Sequence, residues 1–201
     1  MIRGAGDILG PEQAGFIDSI GLDMYIKLLN EAVQDKLSGI TDEETIEANP
    51  NLTLDAYIPK EYANDSDKIG LYQEILMAPS LEDLDNLKYK IKDIYGELPE
   101  EVVKLFDKRS IDLLIREADI KQLNEVLNNV EILLGDKFIK IKGIGNILFE
   151  ALIPFLNFIK VSYQKNQFKI MLKKRKDWIK DLKELLMCLS RIIKGNIVKE
   201  I

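Results

Sequence analysis

The sequence predicts an α+β protein, with a helical N-terminal appendage followed by a domain in which helices pack a small, mostly antiparallel sheet. Two observations lead to this prediction. In several long segments apolar residues recur at spacings of three and four, as on one face of an amphipathic helix. Shorter segments, most of them in the second half of the chain, alternate apolar and polar residues, as strands with one buried face do.

The first 51 residues are predicted to hold a glycine-rich start, one helix and a linker. Apolar residues recur with the helical period from Leu22 to Leu37, and Gly39 ends that helix. The acidic, turn-rich stretch 41–51 is typical of a linker. We therefore expect an appendage over residues 1–40 and a separate domain over 52–201.

Between residue 52 and Ala118 a strand and three helices are expected. The stretch from Leu52 to Ile58 alternates and is closed by Pro59, which favours a short edge strand. The first helix is expected to be capped by Ser66 or Asp67 and to run to about Ala78. The second follows an N-cap at Ser80 and runs to Gly96, and the third begins at Pro99 and reaches about Ala118. The inward stripe of the second helix is predicted to hold Leu81, Leu84, Leu87, Ile91 and Ile94.

Beyond Ala118 the pattern weakens, and the segment from Ile120 to Val126 fits either a strand or a helix. Strands are predicted at Val130 to Leu134, Lys137 to Ile141, Phe158 to Tyr163 and Gln167 to Leu172, the last two forming a hairpin. A short helix is expected over Asn146 to Leu156. An amphipathic helix from Lys176 to Ile193 closes the domain, with an inward face of Trp178, Leu182, Leu185, Leu186, Leu189 and Ile193.

Composition excludes several classes of site. Histidine is absent, which removes His-based catalysis and His-bearing zinc sites. The single cysteine, Cys188, excludes an internal disulfide, fits a reducing cytoplasm and lies in an apolar helical pattern. No apolar run is long enough to span a bilayer, so no membrane partner is expected. We predict no catalytic residues and no metal site in this chain.

Positive charge is concentrated toward the end of the chain, where residues 158–201 hold twelve Lys and Arg against four Asp and Glu. Within it, Lys173, Lys174 and Arg175 could contact nucleic-acid phosphates, or could form the solvated start of a helix. A second segment, Lys142 to Gly145, resembles the turn of a helix-hairpin-helix DNA-binding element. Because a strand-like segment precedes it, a plain strand-to-helix turn is the alternative.

Two stretches of the chain resemble a known family. Residues 2–33 contain RGAG-x-x-LG-x-x-Q-x-G, which resembles the end of the translocation motif shared by transcription-repair coupling factors and the RecG branched-DNA translocases. The second stretch includes AYIPKEYANDSDKIGLYQEI and LEDLDNLKYKIKDIYGELPEEVVKLF, and resembles the C-terminal domain of the coupling factors, which RecG lacks. The combination favours the coupling factors and covers about residues 2–116.

The resemblance implies that residues 1–40 end a module that couples ATP hydrolysis to movement on double-stranded DNA. Arg3 and Gln13 match the polar residues of the translocation motif, where several directional hydrogen bonds suit a relay. The ATP and Mg²⁺ sites of the family lie upstream of this segment. The resemblance therefore implies no cofactor and no enzymatic activity for the chain by itself.

The resemblance also implies partners. In the family, the C-terminal domain docks on the N-terminal UvrB-like module of the same protein and masks its UvrA-binding surface, until stalled RNA polymerase and DNA release it. A bacterial cytoplasmic protein of nucleotide excision repair is therefore expected. Two residues depart from the family pattern, since Ile94 stands where Arg is usual and Tyr95 where Phe is usual. The alternative function is an accessory DNA-binding domain that uses the basic C-terminal half.

Overall fold

The structure, a computed structural model, describes residues 52–197 and confirms the α+β fold class. In these residues the elements are α1 Asp65–Met77, α2 Leu81–Tyr95, α3 Glu100–Glu117, β1 Ile120–Val126, β2 Asn129–Leu134, α4 Asp136–Lys140, α5 Ile144–Leu152, a 3-10 helix Ile153–Phe155, β3 Ile159–Gln164, β4 Gln167–Lys173 and α6 Trp178–Ile197. The predicted helix at 22–37 and the predicted linker at 41–51 lie outside the described residues.

The four strands form one antiparallel sheet in the order β1-β2-β4-β3. Leu123, Ile132 and Ile170 lie in register across three strands and are fully buried. The predicted β3-β4 hairpin is confirmed. Its turn is Lys165 and Asn166, both with positive φ, which is the two-residue turn that suits the twist of a hairpin.

Helix α3 joins two hydrophobic clusters. Its first half contributes Val102 and Phe106 to a cluster with α1 and α2. Its second half contributes Ile111 and Leu114 to a larger cluster with the sheet and α6. The helical layer and the sheet layer therefore share one continuous helix.

Helix α6 packs along α3, and its predicted inward face is largely confirmed. Leu185 and Leu189 are completely buried, whereas Trp178 is only half-buried. Polar contacts also join the two helices, because Lys183 pairs with Asp107, and Glu117 accepts hydrogen bonds from Ser190 and Lys194. These contacts fix the register of α6 on α3.

The strand predicted over residues 52–58 is wrong. Burial does alternate along this segment, from half-buried to exposed, up to the buried Ile58. No strand pairs with it among the described residues, and two of its backbone N–H groups bond to side chains instead. The N–H of Thr53 donates to Glu125 Oε2 at 2.9 Å, and that of Ile58 donates to the Tyr72 hydroxyl at 2.7 Å.

The strand predicted from Lys137 to Ile141 is also wrong, because the segment forms the short helix α4. The carboxylate of Asp119 accepts a hydrogen bond from the Lys137 N–H at 2.9 Å and so caps the first turn. Phe138 is completely buried in the sheet cluster. A long-range cap of this kind, from a residue 18 positions away, overrides the local alternation.

Several boundaries differ from the prediction. The segment 120–126 is a strand, which settles the alternatives left open. The N-cap of α1 is Asn64 rather than Ser66 or Asp67, since its side chain accepts from the Asp67 N–H. The helix predicted at 146–156 begins at Ile144 and tightens to a 3-10 turn at Ile153, where Pro154 follows.

Candidate protein-interaction surface

Helix α2 presents one buried side and one broad exposed side. Its start is fixed as predicted, because Ser80 Oγ accepts from the Asp83 N–H at 3.1 Å. Leu84 and Ile91 anchor the buried side, each only 2% exposed. Ile94, predicted to face inward, is 60% exposed, so that part of the prediction is wrong.

The exposed side of α2 carries an aromatic ring among carboxylates. Glu82, Asp85, Tyr89 and Asp93 are all exposed, and their spacings of three and four place them on one face. Tyr89 is 74% exposed. We call these four residues the α2 stripe. It is the most exposed of the aromatic rings in residues 52–197.

Two of the three lysines of α2 are already paired. Lys90 contacts Glu74 at 3.1 Å, and Lys92 contacts Glu97 at 2.7 Å. Within residues 52–197, by contrast, the carboxylates of Glu82, Asp85 and Asp93 have no cationic partner within salt-bridge distance. The stripe therefore presents uncompensated negative charge around Tyr89.

The C-terminal end of α2 is held by a pair of tyrosine rings. The Tyr62 and Tyr95 rings lie 5.8 Å apart, and the Tyr62 hydroxyl donates to the carbonyl of Gly96 at 3.3 Å. Burial, with a smaller contribution from the Asp67 carboxylate, raises the pKa of Tyr95. Tyr95 packs inside this pair of rings. Of the two residues that depart from the family pattern, Ile94 is therefore the one that changes the exposed surface.

The predicted nucleic-acid contacts lie between β4 and α6, and Lys174 is engaged there. Its ammonium group contacts Glu125 Oε1 at 2.5 Å and lies 4.5 Å from the centre of the Trp178 ring. The hydrogen bond from Lys174 lowers the pKa of Glu125. Since Glu125 also accepts from Thr53, this pair ties the start of the domain to the sheet.

Arg175 is engaged as well. Its guanidinium group makes two bonds to the buried carboxylate of Asp181, at 2.5 and 2.7 Å, and stacks 4.0 Å from the Phe158 ring centre. Lys173 is exposed and has no ion pair within the described part of the chain. Nucleic-acid contact by Lys173, Lys174 and Arg175 stays a prediction. Two of the three cations already have anionic partners.

The two residues of the predicted translocation motif fall outside the described part of the chain. Arg3 and Gln13 lie outside residues 52–197. Among the residues that are described, no group of three or more Asp, Glu or Cys side chains is placed to hold a metal ion. No helix in that part of the chain is long and apolar enough to cross a membrane.

The residues that form this surface lie in a part of the chain that matches a known protein family. The TRCF domain family matches residues 52–142, which include the whole α2 stripe. The transcription-repair-coupling factor of Staphylococcus haemolyticus strain JCSC1435 is 35% identical over 192 residues, 94% of this chain. That of Staphylococcus aureus strain USA300 is 34% identical over the same share. The chain belongs to the transcription-repair coupling factor family. It spans 16% of the length of these relatives.

A solved structure of the same family agrees with the fold. The crystal structure of the C-terminal domain of a transcription-repair coupling factor matches with a TM-score of 0.61 at 21% sequence identity. The match covers 74% of this chain and 94% of that one. The coupling-factor chain described here therefore has the C-terminal domain fold of its family.

Sequence reasoning did not single out the α2 stripe. A helix start favours acidic residues in its first turn, and Asp83 has this role because it bonds Ser80. The signal for the stripe was the spacing of Tyr89 from Asp85 and Asp93, four residues on either side. An aromatic residue on the polar face of a predicted amphipathic helix marks such a surface.

Proposed function

We propose that this domain is the regulatory protein-interaction module of a transcription-repair coupling factor, and that it docks through the α2 stripe. The partner is the N-terminal UvrB-like module of the same protein, whose UvrA-binding surface is masked while the domain is docked. In the full-length protein, ATP and Mg²⁺ would act in the upstream lobes, which move on double-stranded DNA when RNA polymerase stalls. The chain by itself is proposed to bind and not to catalyse.

The observation that carries this proposal is the exposure of Tyr89 among carboxylates without cationic partners. Tyrosine is enriched among residues that dominate binding energy, since its ring buries a large area while its hydroxyl stays hydrogen-bonded. Carboxylates around such a ring steer a partner of opposite charge and reject one of like charge. The stripe therefore fits a partner with an apolar pocket bordered by Arg or Lys.

Autoinhibition by this route requires only a modest free energy. Docking and UvrA binding exclude one another, so each weakens the other by the same coupling free energy. A coupling of about 1–3 kcal/mol changes the affinity for UvrA by roughly 5- to 150-fold. An interface with one buried aromatic residue and a few charged neighbours supplies energy of this order.

The test is a titration of this chain against the separately purified N-terminal module of the same protein, followed by calorimetry. We expect measurable binding that weakens with salt because the contacts are charged. Tyr89→Ala should weaken it by about 2 kcal/mol, roughly thirtyfold. Phe149→Ala is the matched control, because that ring is 64% exposed on α5, outside the α2 stripe.

The proposal fails if the chain and the N-terminal module show no binding at high micromolar concentration. It also fails if Phe149→Ala weakens binding while Tyr89→Ala does not, since the docking surface would then lie on α5. A loss that is equal for both variants points to general destabilisation, which circular dichroism of each variant separates from a local effect.

A further inference from the structure

One end of the domain gathers positive charge that neither the fold nor the α2 stripe uses. Three segments meet there, namely 116–121, 135–142 and 190–194. The Gly135 N–H donates to the Asp119 carbonyl at 2.6 Å, which joins the first two segments. Glu117 accepts from Ser190 at 3.1 Å, which joins the first and third.

Together these segments hold seven Lys and Arg against three Asp and Glu. Two of the three carboxylates already accept hydrogen bonds within the domain. Glu117 accepts from Ser190 and Lys194, and the buried Asp119 accepts from the Lys137 N–H. The third, Asp136, is exposed. The remaining cations, called the basic end below, are Arg116, Lys121, Lys137, Lys140, Lys142 and Arg191.

All six residues of the basic end are exposed, and none forms an ion pair with another residue in 52–197. This distinguishes them from Lys174 and Arg175, whose charges are matched by Glu125 and Asp181. Unpaired cations gathered at one site repel one another, which a polyanion relieves.

The segment from Lys142 to Gly145 lies at this end, and helices flank it on both sides. The strand that seemed to precede it is the short helix α4, and α5 begins at Ile144. Gly143 adopts the left-handed conformation, with φ 73°. A Cβ added at Gly143 or Gly145 would meet no atom within 4 Å, so the turn is open to an approaching group.

We propose that the basic end binds the phosphate backbone of nucleic acid, independently of base sequence. The six cations supply the attraction, and the open glycine turn is where the backbone approaches most closely. Contacts of this kind release condensed counterions, so affinity falls steeply with salt. The site is separate from Lys173, Lys174 and Arg175, and it does not depend on the docking function of α2.

The test is fluorescence anisotropy of a short labelled duplex DNA of mixed sequence, titrated with the full chain between about 50 and 200 mM salt. We expect binding at the lower salt. The triple variant Lys137→Glu, Lys140→Glu, Lys142→Glu should weaken it at least tenfold, and should reduce the slope of log affinity against log salt by about three, since each phosphate contact contributes about 0.9.

The matched control reverses three other exposed lysines, Lys60, Lys160 and Lys165, and so changes the net charge equally. We expect its affinity to stay within about threefold of the parent chain, because remote charges are screened. Should the charge-reversed triple unfold, the same lysines changed to Gln should still lower the slope. Absence of binding at low salt, or a loss confined to the control triple, would overturn the proposal.

Discussion

Gly135 and Asp119 lie in direct contact where β2 turns into α4. The Gly135 N–H donates to the Asp119 carbonyl at 2.6 Å, and a Cβ at position 135 would lie 2.5 Å from that same oxygen. Asp119 itself has φ 50° and is only 6% exposed. The turn therefore requires the smallest side chain at one position and a short capping carboxylate at the other.

Gly135→Ala should destabilise the domain, because neither Asp119 nor the backbone can retreat from the buried turn. We expect a loss of about 2–3 kcal/mol in the free energy of unfolding, measured by urea denaturation. Gly70→Ala is the control, since Gly70 lies within α1 with nothing within 4 Å of its Cβ position. It should be neutral or stabilise by up to about 1 kcal/mol. Equal effects at both positions would contradict the packing described for Asp119.

The two wrong strand predictions show what the sequence alone could not specify. Residues 52–58 and 137–141 both alternate, and alternation is the correct local signal for a strand. At 137–141 the cap from Asp119 favours a helix instead. At Thr53 the backbone N–H bonds the carboxylate of Glu125, 72 residues further along the chain, instead of a neighbouring strand. Such contacts depend on the assembled fold, so no local pattern contains them.

Elements with strong local signals were predicted well. The helix after Ser80 and the β3-β4 hairpin each carry their own start or turn chemistry, and both are confirmed. The candidate surface was harder to predict, because only its place on the polar face of α2 distinguishes Tyr89 in sequence from a buried tyrosine. Ile94 was misplaced because its apolar character predicted burial for a side chain that is exposed.

Asp112 predicts a dependence of stability on pH. Burial raises the pKa of this carboxyl to about 6, against the opposing influence of Arg109, Lys108 and Arg116. A raised pKa means that the folded state binds the proton more tightly than the unfolded state does. The contribution of this carboxyl to stability should therefore be fully present below about pH 4 and should be lost as the pH rises through 6.

Asp112→Asn should remove that decline and stabilise the domain at pH 7 by about 1–2 kcal/mol, after allowing for solvent screening of a half-buried group. The measurement is the urea midpoint at pH 5 and pH 7 for the parent chain and the variant. Glu61→Gln is the control, because it removes a carboxylate from an exposed position. An unchanged pH dependence in Asp112→Asn would show that this carboxyl is not the source.

Arg175 should matter for stability whether or not it contacts nucleic acid. Asp181 is 5% exposed, so Arg175→Ala would leave a buried carboxylate without its two hydrogen bonds. We expect Arg175→Ala to lower the free energy of unfolding by about 2 kcal/mol, measured by thermal denaturation. Arg175→Lys should recover at most part of this loss, because lysine cannot bond both carboxylate oxygens in the same way. Lys173→Ala is the neighbouring control and should change stability by less than about 0.5 kcal/mol. Equal stability of all three variants would argue against the Arg175–Asp181 pair.

Charge-reversal variants should distinguish the two proposed surfaces of the coupling-factor chain. The α2 stripe is acidic and the basic end is cationic, so charge reversal at Asp93 should leave duplex binding within about threefold. Reversal at Lys137, Lys140 and Lys142 should in turn leave docking to the N-terminal module within about threefold. A variant that loses both activities while remaining folded would mean that the two surfaces are not independent.

In the proposed docked state, the α2 stripe keeps the UvrA-binding surface of the full-length protein covered. The most direct measurement is the affinity of UvrA for the full-length coupling factor with Asp85, Tyr89 and Asp93 changed to Lys, Ala and Lys. Loss of docking should raise that affinity by roughly 5- to 150-fold, toward that of the isolated N-terminal module. An affinity equal to that of the parent protein, with UvrA binding by the isolated module still tight, would mean that the α2 stripe does not cover that surface.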